Sequence, residues 1–536
     1  MTPATLQIVL LVLGCVLLSM SAARRLPIPY PVLLVLVGLL VSLVPGLSSL
    51  SVEPDLVFFV FLPPVLWAAA YFTSWRDFRN NARPITLLAV GLVLATTAAV
   101  ALCAHSLIHG LGWPEAVALG AIVSPPDAVS AVAVVGRLGV PRRVVTILEG
   151  ESLVNDATAL ILYRAAVGAL VLGTFNLGAT LVGFVLAAAV GVGIGLVVGW
   201  LAALVHRHLD DPPTLILVTL MAPYLAWILA DRAQASAVLA CVAGGLILRR
   251  SYSIDVSPSV RLQARAVWNL VVFAINGVLF LLIGLQLRAL ASDISAEALL
   301  RLIEKGAVLS LLIIAVRLVW VPLAAWVPRL LSSSLRKRDP MPDSRALFLI
   351  GWVGLRGIVS LAGAMALPLT RADGSLVPHR ADLILITFIV IFSTLVLQGS
   401  TLAPVVRLLR FPTDDEAARE EQQARAAAAR SALARLQDIS AESWADPRTV
   451  AALREQYEDR LRRADAVAAS SLLAERGNKR TRFESLMAER LAIVRLRNEG
   501  VIGEEVLMDL ETEIDLDAAR QGLADLRDAT AIGYED

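Results

Sequence analysis

Thirteen mostly apolar stretches, each long enough or nearly long enough to cross a bilayer, fill the chain between residues 4 and 408. A helix needs about 20 such residues to cover roughly 30 Å of hydrocarbon. The stretches run over about 4–22, 29–45, 55–72, 85–108, 115–136, 143–171, 177–205, 214–230, 234–248, 266–287, 306–327, 346–368 and 382–408. The ninth is short, which implies a tilted or broken span. Ser21-Ala22-Ala23 resembles a leader cleavage site, but no basic residue precedes the first apolar run and Arg24-Arg25 follow it, so it is read as a span. The predicted fold is an all-α polytopic membrane protein. Composition agrees: 57% of the 536 residues are hydrophobic and only 17% charged, against about 25% charge in soluble domains. That excludes a soluble enzyme, a disordered chain and a nucleic-acid binder. A net charge of +1 implies no polyanionic partner.

The few charges alternate from loop to loop. One set of loops carries eighteen basic residues, among them Arg24, Arg76, Arg79, Arg83, Arg142, Arg143, Arg249, Arg250, Arg329, Arg336 and Lys337; the other carries six, including Arg232, Arg301 and Arg371. The positive-inside rule puts the first set in the cytoplasm, with the N-terminus outside and the C-terminus inside. One span too many or too few would scramble the alternation. Compact loops fit a bacterial inner membrane. Beyond about residue 411 the chain becomes charged and Ala-rich, with apolar residues such as Leu486, Leu491 and Val494 at helical spacing. A transmembrane domain over 1–411 and a tail of amphipathic cytoplasmic helices over 412–536 are expected. Cys15, Cys103 and Cys241 are too scattered for a disulfide framework, and His206-x-His208 reads as a solvated loop pair.

Ionisable groups at membrane depth cost several kcal/mol and call for an explanation. Five stand out: Asp127, Glu151, Asp156, Arg317 and Arg356; Arg164 lies near a span end and can snorkel. Asp127 follows Ser124-Pro125-Pro126 in the middle of the fifth span. Two prolines remove two backbone donors and clash with the preceding turn, so the helix breaks there. Such a break exposes half-helix ends and free carbonyls that suit an ion. In the sixth span Ser152 and Asp156 are four residues apart and share a face, while Glu151 and Asn155 share the next one. A carboxylate and a hydroxyl on one face are hard oxygen ligands for a small cation. In the twelfth span Gly351, Gly354 and Gly357 surround Arg356, which suggests a second break whose carbonyl ends the guanidinium neutralises. The fifth and twelfth spans become symmetry mates if spans one to six and eight to thirteen are inverted repeats. Arg317, in the eleventh span, is the expected partner of Glu151 in a structural ion pair.

Four segments together resemble the monovalent cation:proton antiporter family, in its electroneutral sodium/proton exchanger branch: Ser124-Pro125-Pro126-Asp127-Ala128-Val129, Leu138-Gly139-Val140-Pro141, Glu149-Gly150-Glu151-Ser152-Leu153-Val154-Asn155-Asp156 and Gly354-Leu355-Arg356-Gly357. Asn276-Gly277-Val278-Leu279-Phe280 and the residues to Gln286 also look like a bacterial exchanger. The resemblance covers roughly 5–410. It implies a homodimer in the membrane lipid, each protomer pairing a dimerisation domain with a mobile domain that holds crossed discontinuous helices. It implies that Asp156 takes the cation and the proton in turn, helped by Ser152; these two are the metal-ion ligands, and no cofactor is needed. Asn155 and Asp127 then stabilise the crossing, and Arg356 serves the second break with Pro125, Pro126, Gly354 and Gly357. The family often has Thr-Asp-Pro where this chain has Pro126-Asp127-Ala128, and a glutamate where Ala68 follows Leu62-Pro63-Pro64-Val65-Leu66-Trp67. One hydroxyl and one cation ligand or pairing group are therefore absent.

One exchangeable carboxylate, with Asn rather than an acid at 155, predicts one-for-one exchange of Na+, or of Li+ or K+, for H+ with no net charge movement. A potassium/proton antiporter of the same fold fits the same residues. A channel would carry current without Asp156-dependent counterflow, an organic-anion carrier would need a cationic site, and a membrane sensor would lose its output with the tail.

Overall fold

The computed structural model describes residues 14–19, 30–43, 57–127, 132, 135, 138–173, 177–209, 211–255, 258–291, 294–411, 415–466, 472–499, 501 and 504–520. The chain divides into two compact units, Met1–Asp414 and Asp415–Asp536. The described residues are overwhelmingly helical, with a single isolated bridge between Thr370 and Leu376.

The first unit is an integral membrane bundle. Besides two short helices at Trp75–Asn80 and Ser333–Arg338, its helices are α1 (Tyr30–Ser42), α2 (Leu62–Phe72, entered through a π-helical turn at Val57–Phe61), α3 (Ala82–Leu107), α4 (Trp113–Val123) and α5 (Arg142–Leu172). There follow α6 (Leu177–His208), α7 (Pro212–Arg232), α8 (Ala237–Asp255), α9 (Pro258–Ala291) and α10 (Ala296–Leu331). The unit closes with α11 (Ser344–Trp352), α12 (Ile358–Met365) and α13 (Arg380–Leu409). Local chemistry sets the ends. Asp211 caps α7 by accepting the Thr214 N–H, with Pro212 and Pro213 in the first turn, where an N–H is dispensable. At the end of α5, Gly173 adopts φ 70° and returns its N–H to Ala169 O, a left-handed stop that glycine takes without strain. The first apolar stretch is described only at 14–19, and the second half of the fifth stretch, past Asp127, lies largely outside the described residues.

Packing sorts the bundle into two groups. In one, α6 lies on α8 and α7, α8 on α2, and α9 on α1. Small residues make these contacts close: Gly191, Gly195 and Gly199 of α6 face the α8 backbone at Ser236, Ala240 and Gly244. In the other group α4 packs on α3 and α5, and α13 on α10 and α12. The groups meet along α5, where Leu153 and Ala157 join the apolar cluster of Leu66, Ala68 and Cys241, and along α1 and α9, whose Leu34, Val35, Leu281 and Ile283 share a cluster with Leu349 of α11 and Phe388 and Ile391 of α13. At the end of α5 opposite its arginine-rich first turn, Arg164 donates to Asp231 at the end of α7, 3.2 Å away.

In the second unit α14 (Asp415–Ile439) packs on α15 (Pro447–Ala466), burying Ala426, Ala429 and Leu436. There α16 (Leu472–Asn498) packs on α17 (Glu504–Arg520), with Arg490 bridging Glu511 and Asp515.

Candidate ion-binding site

Two interruptions abut inside the second helix group. The helix α4 stops at Val123, and Ser124–Asp127 continue as non-helical chain because neither Pro125 nor Pro126 can donate a helical hydrogen bond. Similarly, Val353–Gly357 run as non-helical chain between α11 and α12. Breaking two helices in a membrane leaves carbonyls that must find donors within the protein. Arg356 supplies three. Its Nε donates to Val123 O at 3.0 Å, its Nη2 to Ser124 O at 3.3 Å, and its Nη1 to Gly354 O. Asn155 Nδ2 donates to Pro126 O at 2.9 Å, and Asp127 N to Leu355 O at 2.7 Å, a direct backbone link between the two breaks. Gln398 Nε2 reaches Trp352 O at 2.8 Å, and the Thr394 hydroxyl accepts the Arg356 N–H. Gly357 makes the contact possible: a Cβ there would lie 2.8 Å from Asp127 Oδ2 and 2.9 Å from Asp127 Cβ.

The buried charges differ in how they are satisfied. Glu151 and Arg317 form a two-pronged pair at 2.5 and 2.8 Å, each at most 2% exposed, and Arg317 Nε also donates to Ile350 O in α11. Glu115 is met by Arg371 at 2.7 Å. Asp156, the remaining buried carboxylate among the described residues, has no hydrogen-bond or ion-pair partner there. Its electrostatic neighbour is the half-buried Asp127 carboxylate. Ser152 stands half-buried one turn earlier on α5, and Asn155 Oδ1 is buried without a donor. The predicted residues Asp127, Ser152, Asn155 and Asp156 thus lie on two neighbouring elements, with Glu151, Arg317, Gly354, Arg356 and Gly357 bracing them.

Some participants were not singled out from sequence. Thr394 and Gln398 sit one turn apart on α13 and hold the second break; that i, i+4 polar pair within an apolar span was the available signal. Glu115 stands at the very start of its span and reads as an interfacial charge. His206 and His208 are not a solvated loop pair. They occupy the last turn of α6, each ring Nδ1 within 2.8 Å of the carbonyl four residues back, and His206 is buried. Arg164 is half exposed and reaches Asp231 in the last turn of α7.

A membrane bundle in which a proline-stopped helix end meets a break between two helices, beside an unpaired buried carboxylate, fits the class of ion-coupled secondary transporters. Residues 9–408 match the family described as "Sodium/hydrogen exchanger, transmembrane". The chain belongs to that family. It is 35% identical over 521 residues to a Mycobacterium tuberculosis protein described as an uncharacterized Na(+)/H(+) exchanger, covering 96% of this chain and 95% of the relative. That similarity extends into the tail. It is 32% identical to the Na(+)/H(+) antiporter ApNhaP of Aphanothece halophytica, over 74% of this chain and 73% of the relative. In fold it is similar to the sodium proton antiporter MjNhaP1 from Methanocaldococcus jannaschii, with TM-score 0.58 at 18% identity, covering 76% of this chain and 99% of the other.

Proposed function

We propose that the protein is an electroneutral antiporter that exchanges Na+ for H+ one for one, with Asp156 as the group both ions occupy by turns. The observation that carries this reading is the contrast among buried carboxylates: Glu115 and Glu151 are each locked to an arginine, whereas Asp156 is free to bind. Left ionised and empty, Asp156 is costly to carry through a closed bundle, while a bound proton or cation neutralises it. Only the loaded forms cross, which couples the two fluxes. Ser152 contributes a hydroxyl oxygen to the cation. Asn155 and Asp127 hold the crossing, and Arg356 offsets the carbonyl ends of both breaks. The position of Asp156, flanked by Leu153 and Ala157 where α5 meets α2 and α8, suits rocking of the α3–α5, α10–α13 group against the other. The protein acts as a homodimer in a bacterial inner membrane, N-terminus outside and C-terminus cytoplasmic, as the loop charges indicate. A relative from Bacillus pumilus is named for sodium, potassium, lithium and rubidium antiport, so the test is an ion series. Purified protein in vesicles loaded with a pH dye should move protons on Na+ addition, with Li+ or K+ as weaker substrates, at a rate unchanged by an imposed voltage. A voltage-dependent rate would overturn the stoichiometry, and silence with every cation would overturn the function.

A further inference from the structure

The arginine-rich end of the bundle carries a second charged cluster that shares no residue with the Asp156 site. Arg83 in the first turn of α3, Arg143 in the first turn of α5 and Arg329 in the last turn of α10 converge on one carboxylate, Asp339, in the connection to α11. The distances are 2.5 Å from Arg83 Nη2, 3.0 Å from Arg143 Nη2 and 2.8 Å from Arg329 Nη2. Arg329 Nε also takes the Asp339 carbonyl, and Arg143 Nε takes Asn81 Oδ1. Three guanidiniums share one negative charge, so two positive charges stay uncompensated. Arg83 Nε and Nη1 are buried and have no hydrogen-bond partner among the described residues, and Arg329 is buried too, so the cluster opens outward through Arg143 and the rest of Arg83. All three arginines lie in the end turns of candidate membrane spans. Beside them, the last turns of α10 turn apolar side chains outward: Leu330 is 74% and Leu331 84% exposed, and Trp326 is exposed one turn earlier.

We propose that this cluster binds the phosphate of an anionic phospholipid, with the acyl chains lying along Trp326, Leu330 and Leu331. The arginine fork matches phosphate oxygens, and basic clusters between helix ends attract anionic headgroups. A soluble phosphate would satisfy the charge but leave the apolar shelf unused. The site is independent of the transport reading, since it shares no residue with it.

Full-length protein in nanodiscs of phosphatidylcholine with increasing phosphatidylglycerol tests this by native mass spectrometry and thermal unfolding. Wild type should retain phosphatidylglycerol, and Arg83→Gln or Arg143→Gln should each weaken retention about fivefold, the equivalent of roughly one surface arginine. Arg143 is half exposed, so its variant folds even if Arg83→Gln does not. Arg336→Gln, at an exposed arginine that does not touch Asp339, should leave retention unchanged. Asp339→Asn should unfold at lower temperature in phosphatidylcholine and be largely rescued by phosphatidylglycerol, which a merely structural ion pair would not show. Equal weakening by Arg336→Gln, unchanged retention in both cluster variants, or full stabilisation by inorganic phosphate in lipid-free detergent would overturn the proposal.

Discussion

The two non-helical segments that meet at the Asp127–Leu355 hydrogen bond leave the helix by opposite means. The break after α4 is imposed by what Pro125 and Pro126 lack, a pair of N–H groups, and it ends on a carboxylate. The break between α11 and α12 is permitted by what Gly354 and Gly357 lack, a pair of side chains, and it ends on a guanidinium. Prolines prevent helix whatever the surroundings, whereas glycines only allow another chain to approach. The glycine break therefore depends on neighbours: Arg317 at Ile350 O, Gln398 at Trp352 O and Thr394 at the Arg356 N–H. The proline break borrows its donors, Arg356 and Asn155, from elsewhere. Arg356 serves both, so the two breaks are electrostatically one structure.

That asymmetry can be broken experimentally. The largest effect should come from Arg317→Ala, which leaves Glu151 buried without a counter-charge and costs about 3–5 kcal/mol. Little folded protein should survive extraction, and a melt indistinguishable from wild type would refute the structural role. Next is Arg356→Gln, which orphans carbonyls at both breaks at about 1–3 kcal/mol for each one left unsatisfied; fluorescence-monitored melting should drop clearly and exchange should fall with it. Smaller and more discriminating is a pair of single changes. Asn155→Ala removes the donor to Pro126 O beside Asp156, and Gln398→Leu removes the donor to Trp352 O in the other break. Both should lower stability by about 1–2 kcal/mol, but Asn155→Ala should also lower transport rate well beyond its stability cost. Equal transport losses would make the breaks equivalent. The smallest effect is on pH. Burial disfavours the Asp339 charge, yet the Arg143 hydrogen bond and the three nearby guanidiniums hold its carboxyl below the usual carboxylate range. Its contribution is therefore full above the ordinary value near 3.9 and lost as pH falls through the lowered one. The melting difference between wild type and Asp339→Asn should stay constant from neutrality to about pH 4 and narrow only below it.

Much of this was legible in the residues because membrane burial makes exceptions conspicuous. A proline pair, an arginine among glycines and a Ser-x-x-x-Asp face stand out against continuous apolar stretches. Pairing is less legible. Glu151 and Arg317 are 166 residues apart, and Arg143 and Asp339 are 196 apart, so nothing local marks them as partners. Glu151 found its arginine by elimination among few buried charges. The Asp339 cluster escaped because its arginines read as ordinary positive-inside loop charges. Assignment of helices to two packing groups was also beyond reach of periodicity, since spans that face lipid and spans that face protein are both apolar throughout. His206 misled for the opposite reason: a helix that continues into the interfacial zone looks, by polarity, like a loop.

Proton release on cation binding is the most direct probe of the claim that one side chain serves two ions. Purified protein in weakly buffered detergent, titrated with NaCl while pH is recorded, should release one proton per sodium ion bound, and Asp156→Asn should fold normally, bind no sodium and release nothing. Sodium binding without proton release in wild type, or undiminished release in Asp156→Asn, would contradict it.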